Sequence, residues 1–214
     1  MFLDRTDAGI QLAERLSKFK NQKVLILAIP RGGVEVGFVV AQKLQADFSI
    51  LVSRKLPFPD NPESGFGAIA EDGSLFIFRE YSYWLNKDRI HQIVEEQKTV
   101  IRDRIAVLRK NRKLPEIKDR IVILVDDGLA MGSTMMAAIR LCKNRNPEKI
   151  IVAVPVSGKS TADMIAEEVD ELVVLEMPDK FRAVAEVYLN WYDLTDEDVL
   201  KILSKKNIIG GFKK

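Results

Sequence analysis

Histidine and cysteine are almost missing from this chain: among 214 residues there is one of each, His91 and Cys142. A zinc cluster therefore lacks ligands, and neither an HExxH nor a paired CxxC spacing occurs. Cys142 has no partner within the chain for a disulfide, which fits a reducing compartment. An excess of one charge sign is lacking as well. Thirty-three basic residues against thirty-one acidic ones leave a formal charge of +2, so no overall field draws in nucleic acid or an acidic membrane. An anionic ligand has to be held by a local arrangement of donors. Long apolar runs are absent too: no stretch is long enough to cross a bilayer, and the start, MFLDRTDAGIQLAERL, is amphipathic and not a basic leader with an apolar core. The expectation is a cytoplasmic chain with no membrane partner.

What is present is ordinary globular material, 47% hydrophobic and 30% charged, in a length that buries one sizeable core. A single domain over residues 1–214 is expected. Short branched apolar runs at Val24–Ile29, Ile50–Val52, Ile121–Val125, Ile150–Val154 and Leu172–Leu175 read as buried strands. Helical periods lie at Ile10–Phe19, Val34–Leu44, Met135–Lys143 and Thr161–Val169. This alternation predicts an α/β fold, a parallel sheet with helices on both faces.

Two segments break the rhythm. Leu56–Gly73, LPFPDNPESGFGAIAEDG, is crowded with prolines, glycines and turn formers and reads as a long loop that acts as a lid. The alternative is a surface connection with a hairpin through Leu75–Phe78. Gly65, Gly67 and Ala70 match a dinucleotide fingerprint by spacing, but EDGSLF follows where a helix is required, which rejects a nucleotide-cofactor fold. The second break is a helical insertion near 80–114, with a helix from about Lys87 to Lys110 capped by Asn86. Its stripe of Ile90, Val94, Ile101, Ile105 and Leu108 either covers the core or joins a second copy, which leaves a homodimer open. Arg109, Lys110, Arg112 and Lys113 read as a solvated helix end that complements the helix dipole, not as a nucleic-acid patch.

The most informative stretch is RIVILVDDGLAMGSTMMAAIRL, Arg120–Leu141. A strand runs into two aspartates, a loop of small residues and a helix. Gly128, Ala130, Gly132 and Ser133 let backbone N–H groups wrap closely around an anion. Thr134 adds a hydroxyl, and the helix aims its positive end at the same point, which makes a monophosphate site. Asp126 and Asp127 can accept hydrogen bonds from a sugar diol or hold a hydrated magnesium ion through its waters. Their alternative role is to cap the loop.

Val122–Thr134, with its apolar run, paired acids and glycine-containing loop, closely resembles the signature with which type I phosphoribosyltransferases bind phosphoribosyl pyrophosphate (PRPP). FLDRTDAG, AIPRGGVEVG, RKLPFPDNPESGFGAIAEDG and MPDKFRAVAEVY extend the resemblance over most of the chain, to a bacterial and archaeal branch of that family. The resemblance implies a type I phosphoribosyltransferase-like fold: a central parallel sheet flanked by helices, with a flexible loop and a small hood. It implies that Asp126 and Asp127 hold the ribose hydroxyls and the magnesium shell. Ala130, Met131, Gly132, Ser133 and Thr134 then hold the 5-phosphate, with Gly128 and Leu129 completing the PRPP-binding stretch. Met131 stands where the family usually has a hydroxyl residue, which removes one phosphate donor and leaves the backbone cradle.

A second anion site follows the first strand, where Arg31 precedes Gly32 and Gly33. Arginine binds pyrophosphate through parallel hydrogen bonds and the glycines permit close backbone approach. The resemblance implies that this loop holds pyrophosphate, with a non-proline cis bond at Pro30–Arg31, and that a loop beginning at Arg54 and Lys55 closes over the leaving group. Pro57 and Ser64 depart from that branch's pattern. A base-covering segment is expected near 176–214, where Pro178–Phe181 resembles the purine enzymes and Phe181 either stacks on a base or packs in the core. Ser157 replaces a base-reading lysine, which argues against hypoxanthine or guanine, and Ala130 replaces a carboxylate base, so no general base is named.

The expectation is a transferase of nucleotide metabolism. Pyrophosphate leaves PRPP as a small nitrogenous acceptor attacks, with magnesium, Arg31, Arg54 and Lys55 neutralising the departing charge. The alternative is a non-catalytic regulatory protein that binds PRPP or a nucleotide. A phosphatase is disfavoured, because DDGLA lacks the DxDGT order.

Overall fold

The computed structural model describes residues 1–81 and 85–205. Five strands form a parallel sheet in the order β2 (Asp47–Ile50), β1 (Val24–Ala28), β6 (Ile121–Val125), β7 (Lys149–Val156), β8 (Glu171–Glu176). The expected α/β architecture is therefore present. β1 and β6 lie side by side at the centre, in register from Val24↔Ile121 to Ala28↔Val125, and every residue of both is buried. Alternation along a strand sends successive side chains to opposite faces. Val24, Ile26, Ala28, Ile121, Ile123 and Val125 accordingly enter one core, and Leu25, Leu27, Val122 and Leu124 enter the other. A strand buried on both faces reads as a continuous apolar run, which is why these two were visible in the sequence.

The first core is covered by α1 (Arg5–Arg15), α2 (Gly32–Leu44), α3 (Lys87–Arg109) and α6 (Asp196–Ser204). The second is covered by α4 (Ser133–Lys143) and α5 (Lys159–Ala166), and Cys142 is fully buried in it. The expected strand at Ile50–Val52 begins earlier, at Asp47. Leu51 and Val52 remain buried beyond its end, with the Leu51 N–H donating to the Ala28 carbonyl at 3.0 Å. None of the described helices is long and apolar enough to cross a membrane.

Leu56–Gly73 is not an irregular loop. It contains most of an antiparallel sheet of β3 (Ser53–Phe58), β4 (Asn61–Ala70) and β5 (Leu75–Ile77) that packs on α4. The breakers have specific places in it. Pro57, which has no N–H to donate, sits where the β3–β4 register shifts. Gly67 lies so close to β5 that a Cβ would be 2.1 Å from the Phe76 carbonyl oxygen. β5 falls within the alternative hairpin position.

Asn86 caps α3 by accepting from the Asp88 N–H, as expected. Val94, Ile101 and Leu108 join the first core, with Ile90 and Ile105 packed against it, so the apolar stripe covers the core. The basic end is partly a different matter. Arg109 is buried, not solvated, and forms two hydrogen bonds with Glu71, at 3.0 and 2.7 Å. Tertiary contact with the end of β4 outweighs the solvation that its charge invites.

Met1–Leu3 runs beside 187–190 as a small parallel pair. The Phe2 N–H donates to the Val187 carbonyl at 2.7 Å, and the Leu189 and Asn190 N–H groups donate to Phe2 and Leu3, both at 2.9 Å. The chain's first residues thus join the segment expected to cover a base. Residues 206–214 of that expected segment lie outside the described residues.

Candidate active site

The carboxyl ends of β1 and β6 bring two loops against each other. After β1 the chain makes a cis peptide bond at Pro30–Arg31 and enters α2 at Gly32. After β6 it reaches Asp126 and Asp127. The two loops are so close that a Cβ on Gly32 would lie 1.7 Å from Oδ2 of Asp127, and one on Gly33 would lie 2.8 Å from Cα of Asp126. Gly33 is thus required by close approach of the two backbones and Gly32 makes room for the Asp127 carboxylate, so the two loops read separately in the sequence adjoin.

The adjacent carboxyls have different surroundings. Asp126 accepts the Asp127 N–H at 2.9 Å, and its pKa is raised well above the usual carboxylate range, first by burial and then by the charge of Asp127. Asp127 accepts from Arg5 Nε at 2.8 Å. Arg5 is 3% exposed, donates also to the Tyr192 carbonyl at 2.9 Å, and lies 4.0 Å from the centre of the Trp191 ring. The Tyr188 hydroxyl donates to the Asp127 carbonyl at 2.7 Å; burial, followed by the charge of Asp127, pushes that hydroxyl's pKa up. Tyr192 donates to Glu35 in the first turn of α2 at 2.8 Å, and its pKa is pushed to about 12 by burial and by that bond.

The loop from Gly128 to Thr134 carries its atoms in two directions. Leu129 turns its side chain into the second core and its N–H to the Val156 carbonyl at 2.9 Å, so it anchors the loop. Thr161 of α5 donates to the Ala130 carbonyl at 2.8 Å. Gly132, at φ +77, caps α4, and the first N–H groups of a helix have no intrahelical acceptor. Together with the helix dipole, they can bind an anion. Met131 is 44% exposed, so its thioether is not part of the core. Ser133 is buried and Thr134 half-buried at the start of α4.

The residue-level pattern recurs in known proteins. A model of the phosphoribosyl transferase domain matches residues 3–190. The chain belongs to the phosphoribosyl transferase family. Two Mycobacterium tuberculosis proteins, from strains CDC 1551 and H37Rv and named provisionally as phosphoribosyl transferases, are each 37% identical over 207 residues. The match covers 96% of this chain and 47% of theirs, so the chain spans about half the length of those relatives. A crystal structure of TT1426 from Thermus thermophilus is 35% identical, with a TM-score of 0.80 over 94% of this chain and 97% of that one. Purine phosphoribosyltransferase from Pyrococcus horikoshii, 16% identical with a TM-score of 0.50 over 89% and 92% of the two chains, shares the fold.

Within this phosphoribosyl transferase domain, Arg31 and Arg54 face a common region. Arg54 has its pKa lowered by burial first, then by the charges of Arg104 and Arg31. Lys55 does not join them. Neighbours on a strand point to opposite faces, and Lys55 donates to the Glu63 carbonyl across the hairpin while Arg54 donates to Gln97 at 3.3 Å. Phe181 is half-buried beside Phe2, Val156 and Tyr188, and its Cδ1 would lie 3.4 Å from a Cβ on Gly158. Ser157 is fully buried and donates to the Gly158 carbonyl at 3.0 Å.

Sequence reasoning missed Arg5, Glu35, Gln97, Arg104, Tyr188, Tyr192 and Asp196. FLDRTDAG and MPDKFRAVAEVY contain two of them, but no local spacing joins Arg5 to Asp127 across 122 positions. No group of three or more His, Cys, Asp or Glu able to hold a metal occurs among the described residues. The hard oxygen donors of Asp126 and Asp127 still suit magnesium, which keeps much of its water and shares its shell with substrate oxygens.

Proposed function

We propose that this phosphoribosyl transferase domain transfers the 5-phosphoribosyl group of PRPP to a small nitrogenous acceptor with release of pyrophosphate, residues 1–214 acting as one unit. The packing of Gly32 and Gly33 against Asp126 and Asp127 supports this reading, because a ligand that joins pyrophosphate to ribose needs its two binding loops side by side. The free N–H groups at the start of α4 bind the 5-phosphate. Asp126 and Asp127 orient the ribose hydroxyls and hold the magnesium shell; the ion supplies charge neutralisation of the phosphates. Arg5 and Tyr188 fix the Asp127 side chain and carbonyl in place.

As the bond from ribose C1 to pyrophosphate breaks, Arg31 and Arg54 receive the growing negative charge, and the acceptor nitrogen bonds to C1. The β3–β4 hairpin takes the place of the expected lid and limits water at that point. Lys55 reaches the leaving group only if the hairpin turns, since in this conformation it faces the opposite side. Phe181 and the hood cover the acceptor. The Pyrococcus horikoshii neighbour is named for a purine, but the buried Ser157 gives a 6-oxopurine no cationic partner here.

Calorimetry with PRPP and magnesium, followed by a screen of nitrogenous bases for pyrophosphate release, tests the reading. Magnesium-dependent binding and release with at least one base is the expected result. No heat with millimolar PRPP and folded protein would sink it. Tight binding without release for any base favours the regulatory alternative, for which the missing hydroxyl at Met131 is the specific motive.

A further inference from the structure

We infer that Arg31, Arg54 and Arg104 form one diphosphate subsite, and that the Asp196 carboxylate competes for it as an internal anion which a bound diphosphate displaces. This rests on the proposed PRPP reading and adds to it a third arginine and a competing segment of the same chain.

The three arginines come from three elements: the loop after β1, the start of β3, and the C-terminal part of α3. On α3, Gln97 and Arg104 are seven residues apart, hence two turns apart on one face. Gln97 accepts from Arg54, and Arg104, with a side chain only 14% exposed, lies two turns further along, near enough for its charge to lower the Arg54 pKa after burial has done so. Burial of Arg54 adds to the mutual repulsion of the three charges.

Against them stands Asp196, the first residue of α6. Its Oδ1 is 3.9 Å from Arg31 Nη1 and 3.7 Å from Arg104 Nη2. These are ion pairs too long to be hydrogen bonds, and this buried oxygen has no hydrogen-bond donor among the described residues. One carboxylate thus faces two guanidinium groups at long range, and its charge also reaches Arg54. A diphosphate carries more charge and several more acceptor oxygens, and it suits parallel guanidinium donors better than a single carboxylate does.

The fold lets Asp196 leave. Helix α6 is capped by a reciprocal pair of bonds between Thr195 and Asp198, so the Asp196 side chain is not its cap. Displacement therefore frees the Asp196 side chain without removing the device that starts the helix.

Magnesium pyrophosphate and ribose 5-phosphate, titrated separately by calorimetry, distinguish the terms. Asp196→Asn is expected to tighten pyrophosphate about tenfold and Arg104→Gln to weaken it about tenfold, each leaving ribose 5-phosphate unchanged. Arg104→Lys should lie between Arg104→Gln and the unaltered protein, which guards against a folding defect in the glutamine variant. Amide exchange at 198 and 199 should stay unchanged when the unaltered protein binds pyrophosphate, because the cap is kept. If that protein binds neither ligand, the PRPP reading fails and this inference with it. If it binds both while Asp196→Asn leaves pyrophosphate unchanged or weaker, the inference alone is overturned.

Discussion

At the scale of single residues, the adjacent aspartates are chemically identical and energetically opposite. Asp126 has a raised folded-state pKa, so the folded chain holds a proton that the unfolded chain releases. Its favourable contribution is present below the unfolded carboxylate range and is lost as pH rises through the folded value. Above that range its ionisation is a cost, kept for its ligand. Asp126→Asn should therefore raise the melting temperature of the ligand-free protein by a few degrees at pH 7.5, with the gain shrinking as pH falls through the carboxylate range, and should abolish magnesium-dependent PRPP binding. Asp127→Asn changes the same atoms but leaves the buried Arg5 without its carboxylate. Loss of one partner of a buried pair costs roughly 3 kcal/mol. Thermal denaturation of the two variants side by side decides the matter, and shifts of equal sign would show that Arg5 does not distinguish the two positions.

At the scale of elements, the strand, loop and helix from Ile121 to Lys143 depend on neighbours in sequence, and they were legible for that reason. Gly132 shows how tight that unit is. It holds φ +77, and an added Cβ would lie 2.8 Å from Thr161 Cγ2. Gly73 has φ +92 with nothing within 4 Å. Gly73→Ala should therefore cost only backbone strain, about 1 kcal/mol, without touching phosphate binding. Gly132→Ala adds a steric clash and shifts the start of α4, so it should cost about 2 kcal/mol or more and weaken ribose 5-phosphate at least tenfold. Urea denaturation with a parallel phosphate titration separates the two; equal effects on binding would mean that α4 does not hold the phosphate. Helix α3 was legible to within a residue, because Asn86 and its apolar stripe mark it. The hairpin was not. Pro57, Gly65 and Gly67 carry the composition of a loop, and only the partner strands reveal that one tolerates a register shift and another makes room for the Phe76 carbonyl.

At the scale of the whole molecule, the connections between layers are arginines whose partners lie far along the chain, and local pattern is silent about them. Arg5 ties the first helix to the acidic loop, Arg104 brings α3 to the arginine cluster, and Arg109 joins the end of α3 to the hairpin sheet. The last is the most enclosed, with side-chain exposures of 7% for Arg109 and 6% for Glu71. Arg109 also donates to the Ile50 carbonyl at 3.1 Å, and Glu71 accepts the Val52 N–H at 2.9 Å, so the pair holds α3, the end of β2 and the end of β4 together. Arg109→Met strands a buried carboxylate and should cost about 3–5 kcal/mol, whereas an apolar replacement of both partners removes the unpaired charge. The pair Arg109→Met with Glu71→Leu should therefore be more stable than Arg109→Met alone by more than about 1 kcal/mol. Recovery should remain partial, because the Ile50 carbonyl and the Val52 N–H lose their partners in the double variant. Urea denaturation of both singles and the double measures this coupling. Strictly additive losses would show that Arg109 and Glu71 act on stability independently, and that the hairpin sheet is held to the main sheet by apolar packing alone.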